Sequence, residues 1–151
     1  MTSAKLRLEV RRVIDASADR LFEAWTTPRM LERWWGPAGV RCTGAELDVR
    51  VGGRYRIINL LPDGRELVIA GEFLEVEPCE KLVYTWSSAP GSSELEQVTV
   101  RFEARGRQTE VVIVHERMAD EATRQGHAAG WNGCLDGLDA FVARDRPDQP
   151  G

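Results

Sequence analysis

The sequence predicts an α+β chain: a curved antiparallel sheet with one long C-terminal helix laid across it. Two observations predict this. Short runs with period-two apolar alternation, broken by turn residues, fill the stretch from about residue 40 to residue 115, with one more such run at the N-terminus. The segment from about Asp120 to about Ala143 instead keeps helical spacing. At ~1.5 Å per residue it is roughly 35 Å long, enough to cross a sheet. No alternation of strands with crossover helices is present, which separates the chain from the α/β class.

Each element has its own local reason. Leu6, Leu8, Val10 and Ile14 alternate, so Leu6–Ile14 is a strand, with Arg12 breaking the apolar phase at what reads as an edge. Ser17 is placed to cap a short helix over Asp19–Thr26, whose Leu21, Phe22 and Trp25 fall on one face. Pro28 suits the first position of a second short helix, with Met30, Leu31, Trp34 and Trp35 as its apolar face and Gly36-Pro37 as its stop. Strands are then predicted over Val40–Val51, Arg54–Leu61, Glu66–Val76, Lys81–Ser87, Glu96–Ala104 and Gln108–His115. Gly52-Gly53, Pro62-Asp63-Gly64, Glu77-Pro78-Cys79-Glu80 and Arg105-Gly106-Arg107 separate them, and Ser87–Ser93 reads as a flexible loop. The whole chain, 1–151, is read as one domain with its core at about 6–143 and a flexible tail at 144–151.

Composition narrows the partners. A net charge of −4 disfavours nucleic acid, because phosphate binding needs a basic face. No apolar run approaches membrane-spanning length and no signal peptide is visible, so a cytoplasmic protein is expected, without membrane insertion. Cys42, Cys79 and Cys134 are odd in number and lack zinc-site spacing, so they read as reduced thiols, and no metal or cofactor is expected. Phosphate-binding loops, dinucleotide glycine loops and the Gly-x-Ser-x-Gly nucleophile motif are absent. Carboxylate pairs such as Glu75 and Glu77 read as solvated.

The long helix is the most informative segment. His127, Trp131, Cys134, Leu135, Leu138, Phe141 and Val142 share one stripe, which must face the sheet. Gly126, Gly130, Gly133 and Gly137 form a second stripe beside it. An interior helical glycine costs about 1 kcal/mol relative to alanine. Four on one side mean either close backbone approach or space left vacant. His127, polar within the apolar stripe, is a histidine satisfied by one internal hydrogen bond, a polar handle in a pocket or a catalytic base. Trp35, Trp86 and Trp131 come from three different elements and are candidates to line one cavity, as are Tyr55, Phe73 and Cys134. His115, at a predicted strand end, is expected to be exposed.

Several runs resemble one family. Arg12–Pro28 followed by Trp34-Trp35-Gly36-Pro37, then Val51–Arg56, then Gly71–Pro78 with Lys81–Trp86, then Thr109–Met118, then Gly130-Trp131 with Leu135 and Leu138 look like domains similar to the activator of Hsp90 ATPase, within the START-like (Bet v 1-like) superfamily, in a bacterial-looking branch. The resemblance spans about residues 6–143. It implies a helix-grip fold, with two short helices after the first strand closing one end of a cavity. It also implies a small hydrophobic or amphipathic ligand in that cavity; side chains filling all the space, with no pocket of roughly 300 Å³ or more, would argue against this. Two alternatives stand beside it: a cyclase-like or hydrolytic enzyme using the same cavity, with catalytic residues unknown, and a chaperone-associated protein-binding domain. A polar dyad facing the cavity would favour the enzyme. Monomer and homodimer are both open.

Overall fold

The computed structural model describes residues 6–36, 39–87 and 95–144. The predicted loop at 87–93 and the predicted tail at 144–151 fall almost wholly outside the described residues. The element order is β1 (Leu6–Ile14), α1 (Ala18–Thr26), α2 (Pro28–Trp34), β2 (Arg41–Leu47), β3 (Arg54–Leu60), β4 (Glu66–Glu77), β5 (Lys81–Trp86), β6 (Glu96–Arg105), β7 (Gln108–Met118) and α3 (Glu121–Arg144). The strands form one antiparallel sheet in the order β1-β7-β6-β5-β4-β3-β2. This is the α+β helix-grip architecture.

The two short helices begin as their sequences dictate. Ser17 Oγ accepts from Arg20 N at 3.2 Å, and Pro28 opens α2. Asp120 caps α3, its Oδ1 accepting from Thr123 N at 2.8 Å. Two strands differ in length from the periodicity. β2 stops at Leu47 because residues 48–53 turn, with Gly53 N donating to Arg50 O at 2.8 Å and Gly52 at φ +85°. β7 runs on to Met118, which pairs with Leu6 across a bulge.

Strand β4 bends the sheet. Its first half pairs with β3 and its second half with β5. At the change Gly71 meets β5 so closely that a Cβ there would lie 2.0 Å from Thr85 O. Tyr55 Oη donates to the same carbonyl at 2.5 Å. The curved sheet wraps α3, whose Trp131, Cys134, Leu135, Leu138, Phe141 and Val142 are buried against it. Arg12 does lie on an edge strand, but it faces inward and holds Asp136 of α3 at 2.9 Å. Helices α1 and α2 close one end through Trp25 and Trp34, whose rings stand 4.8 Å apart, and Trp34 Nε1 donates to Ala24 O at 2.9 Å.

The glycine stripe of α3 splits into two roles. A Cβ at Gly137 would lie 2.4 Å from Trp34 O, so here the helix backbone touches the end of α2. A Cβ at Gly130 would meet nothing within 4 Å. Gly137→Ala is therefore expected to destabilise by about 1–3 kcal/mol through forced displacement. Gly130→Ala is expected to stabilise by up to about 1 kcal/mol through helix propensity. Urea denaturation of the two variants checks this; equal effects of one sign would contradict the split.

Candidate functional site

Glu96, His115 and His127 meet where β6, β7 and α3 converge. Glu96 opens β6 in the same inward phase as Val98, Val100 and Phe102, all three buried. His115 continues the inward run Thr109, Val111 and Ile113 of β7. One helical turn below Trp131, His127 completes the group from α3. Both histidines reach one carboxylate oxygen: His115 Nε2 lies 2.7 Å and His127 Nε2 2.9 Å from Glu96 Oε1. Their rings stack, with centroids 4.3 Å apart and planes 17° from parallel. Trp86 sets its edge against both rings, at 5.1 and 5.6 Å.

A tryptophan fixes the protons. Trp131 Nε1 lies 3.0 Å from His115 Nδ1. An indole N–H only donates, so Nδ1 accepts and the His115 proton sits on Nε2, where it is given to Glu96. His115 is thus neutral, and the stacked pair does not set two cations face to face. His115 is fully buried, which corrects the expectation of an exposed residue. Burial pushes its imidazole below the usual value, against the pull of Glu96. For Glu96, burial pushes the carboxyl up, but the hydrogen bonds and charges of His115 and His127 outweigh it and hold the group down at about 2.

Beside this group lies a hollow of about 170 Å³ between α3 and strands β3–β5. Trp35, Trp86, His127, Trp131 and Cys134 line it, so five of the seven residues singled out from sequence come together. Val40, Leu61, Leu67 and Ile69 make the rest of the wall apolar, with Asn59 as a second polar side chain and Gly130 opposite. Tyr55 and Phe73 are elsewhere: they pack with Trp25, Leu31 and Tyr84 around a gap of only about 20 Å³ under α1 and α2. The hollow falls short of the roughly 300 Å³ expected of a ligand cavity, because three tryptophans crowd its wall, with Trp131 5.4 Å from Trp35 and 5.5 Å from Trp86. A larger depression, of about 450 Å³, opens on the other face of the sheet among Arg54, Arg56 and Glu72 and is much more polar.

Two buried atoms in residues of this wall, Asn59 Oδ1 and Trp86 Nε1, have no hydrogen-bond partner among the described residues. Each such group costs about 1–3 kcal/mol. The Cys134 thiol, also buried, is pushed up to about 12 by its burial and is not a nucleophile at neutral pH.

Glu96, His115 and His127 are of the right types for a metal ion, with ligating atoms within 4.8 Å of one another. The Trp131 hydrogen bond opposes that use. With the proton on Nε2, the His115 atom facing Glu96 has no lone pair to give a metal.

Glu96 was not singled out from the sequence. The signal was there, since a carboxylate at the first inward position of a strand cannot be solvated like Glu75 or Glu77, which are half exposed beside Lys81. His115 carried the same signal, lying two residues beyond Ile113 in the inward phase.

The model of the "Activator of Hsp90 ATPase homolog 1-like protein" family matches residues 15–143. The chain belongs to this family. Among solved structures, this AHSA1-like chain is similar to protein CV1439 from Chromobacterium violaceum, at 28% identity over 94% of this chain and 98% of that one, with a TM-score of 0.83. The AHSA1 protein from Silicibacter pomeroyi is 22% identical over 93% of this chain and 100% of that one, with a TM-score of 0.83. An AHSA1-like protein from Aeromonas hydrophila is 22% identical over 97% of this chain and 100% of that one, with a TM-score of 0.80. The last two likenesses are of fold. No curated protein matches the chain. Among the described residues no helix is long and apolar enough to cross a membrane.

The pH dependence of stability follows from the two shifts. A Glu carboxyl is at about 4.3 in an unfolded chain. Glu96 is held at about 2, so its stabilising contribution is complete above the unfolded value and lost as pH falls toward 2. Depressed His115 acts with the same sign, lowering stability as pH falls below about 6.5. Glu96→Gln is expected to cost about 2 kcal/mol at pH 7. That deficit is expected to shrink by pH 3. Urea unfolding at both pH values measures it; a deficit independent of pH would contradict the charged state assigned to Glu96.

Proposed function

We propose that this protein binds a small, mostly apolar molecule in the hollow between α3 and the sheet, with His127 as the polar handle. The observation that carries this reading is the hollow's construction. Its walls come from strand, loop and helix, and they are apolar apart from a few side chains that include His127 and Asn59. The helix contributes Gly130 where any larger residue would occupy the space. Small-molecule sites are built this way, as apolar concavities with few placed polar groups. A glycine that gives up about 1 kcal/mol of helix propensity without touching anything is explained by the space it leaves.

The volume sets the class of ligand. An apolar cavity of ~150 Å³ accommodates benzene. The hollow, at about 170 Å³, takes a body of about one ring with short substituents. Long-chain lipids and large polycyclic compounds do not fit within it. A cytoplasmic setting goes with this reading, since Cys42, Cys79 and Cys134 are all free thiols.

Native mass spectrometry and tryptophan fluorescence test the proposal, because Trp35, Trp86 and Trp131 all line the hollow. Phenol- and indole-sized compounds are expected to quench the fluorescence, and palmitate is not. Gly130→Leu is expected to fill the hollow and abolish the response while the fold, read by circular dichroism, is kept. Quenching that survives Gly130→Leu would place the ligand elsewhere and overturn the reading.

A further inference from the structure

The hollow's wall contains a histidine held by a carboxylate, the pairing found in general bases. His127 directs Nε2 at Glu96 (2.9 Å), which leaves Nδ1 as the ring nitrogen not engaged by the carboxylate. A carboxylate that takes one N–H of an imidazole leaves the other nitrogen as the base and steadies the cation formed when that nitrogen takes a proton. Here the carboxylate is itself held. His115 gives a second N–H to the same oxygen at 2.7 Å, and Trp131 holds His115 in the tautomer that does so. Of the two histidines only His127 borders the hollow. In the same wall Trp86 carries a buried N–H without a partner among the described residues, its ring 5.6 Å from that of His127.

We propose that His127 is a catalytic base that shifts a proton on a small carbonyl compound held in the hollow, with Glu96 and His115 as positioning residues and Trp86 as the hydrogen-bond donor to the carbonyl oxygen. This rests on the binding reading above. His127 Nδ1 takes a proton from the carbon next to the carbonyl. The C–H electron pair becomes the C=C bond of an enolate, and the carbonyl π pair moves to oxygen, which accepts from Trp86 Nε1. The imidazolium lies against the Glu96 carboxylate. The proton then returns to the same carbon, or to the far end of a conjugated enolate to give an isomer. The protein ends as it began, and no oxidant, reductant or second substrate is used. A one-molecule rearrangement suits a hollow of about 170 Å³, which holds one ring-sized body. The substrate class is an enolisable, ring-sized ketone.

The test is deuterium exchange at the α-carbons of cyclohexanone and 1-indanone in D2O, followed by proton NMR, with tryptophan quenching measured on the same samples. Wild-type protein is expected to exchange these protons at least ~100-fold faster than His127→Gln, in keeping with the usual contribution of a positioned base. Both proteins are expected to be quenched, His127→Gln at higher ketone concentration because it lacks the imidazole handle, so the exchange rates are compared at saturating ketone. Glu96→Gln is expected to lower the exchange rate at saturating ketone while leaving the half-saturating concentration unchanged, a split that loss of structure would not produce. Gly130→Leu, with Glu96 and His127 untouched, is expected to abolish exchange. Quenching by both ketones with equal exchange in wild type and His127→Gln overturns the catalytic proposal and leaves binding intact. Absence of both quenching and exchange in the wild type overturns both readings. Exchange that persists in Gly130→Leu removes the reaction from the hollow.

Discussion

One carboxylate oxygen joins three elements of this protein. Glu96 stands at the start of β6, takes an N–H from His115 of β7 and another from His127 of α3, and so fixes the helix to the sheet at a defined height. Trp131 extends the chain of hydrogen bonds by one link and fills the space beneath with its indole. A buried polar group stabilises only when its partners are in place, and a network satisfied along its length specifies one arrangement over its neighbours. The apolar face of α3 alone would tolerate sliding by a turn. The Glu96 contacts, with Arg12–Asp136 farther along the helix, do not.

Given that anchoring, the glycines decide where the helix touches and where it stands off. Gly137 lets the backbone of α3 rest against the carbonyl of Trp34, which draws the helix tight to α2. Seven residues earlier, Gly130 faces open space. The helix is thus close at one end and held clear at the other, and the hollow is the volume between. Its polar edge is the helix side of the Glu96 group. The same residues that set the helix position also equip the hollow.

Much of this was legible in the chain. Period two placed five of the seven strands nearly to the residue, and Ser17 and Asp120 as caps, with Pro28 at a first helical position, marked the helix starts. The α3 stripe from His127 to Val142 identified the face that meets the sheet. Two features were not read. Tyr55 and Phe73 share the inward phase of their strands with Asn59 and Ile69, but they line a separate gap that Trp35 also borders, and no local pattern reports the bend at Gly71 between them. Glu96 and His115 were passed over because polar residues at strand ends are usually solvated. The phase of each strand pointed inward, and it was only together that they made an acceptor with its donors. The choice between close packing and vacant space for the glycine stripe had no single answer, since neighbouring turns of one helix meet different partners.

The central claim is the proton arrangement: both histidines give Nε2–H to Glu96, and the second nitrogen of His115 is taken by Trp131. Long-range proton–nitrogen NMR of the two imidazoles measures this directly. His115 is expected to be neutral with its proton on Nε2, and neutral His127 to carry its proton on Nε2 as well, with Nδ1 bare. Either ring in the Nδ1–H form, or His115 found as an imidazolium at neutral pH, would contradict the arrangement on which the hollow's chemistry depends.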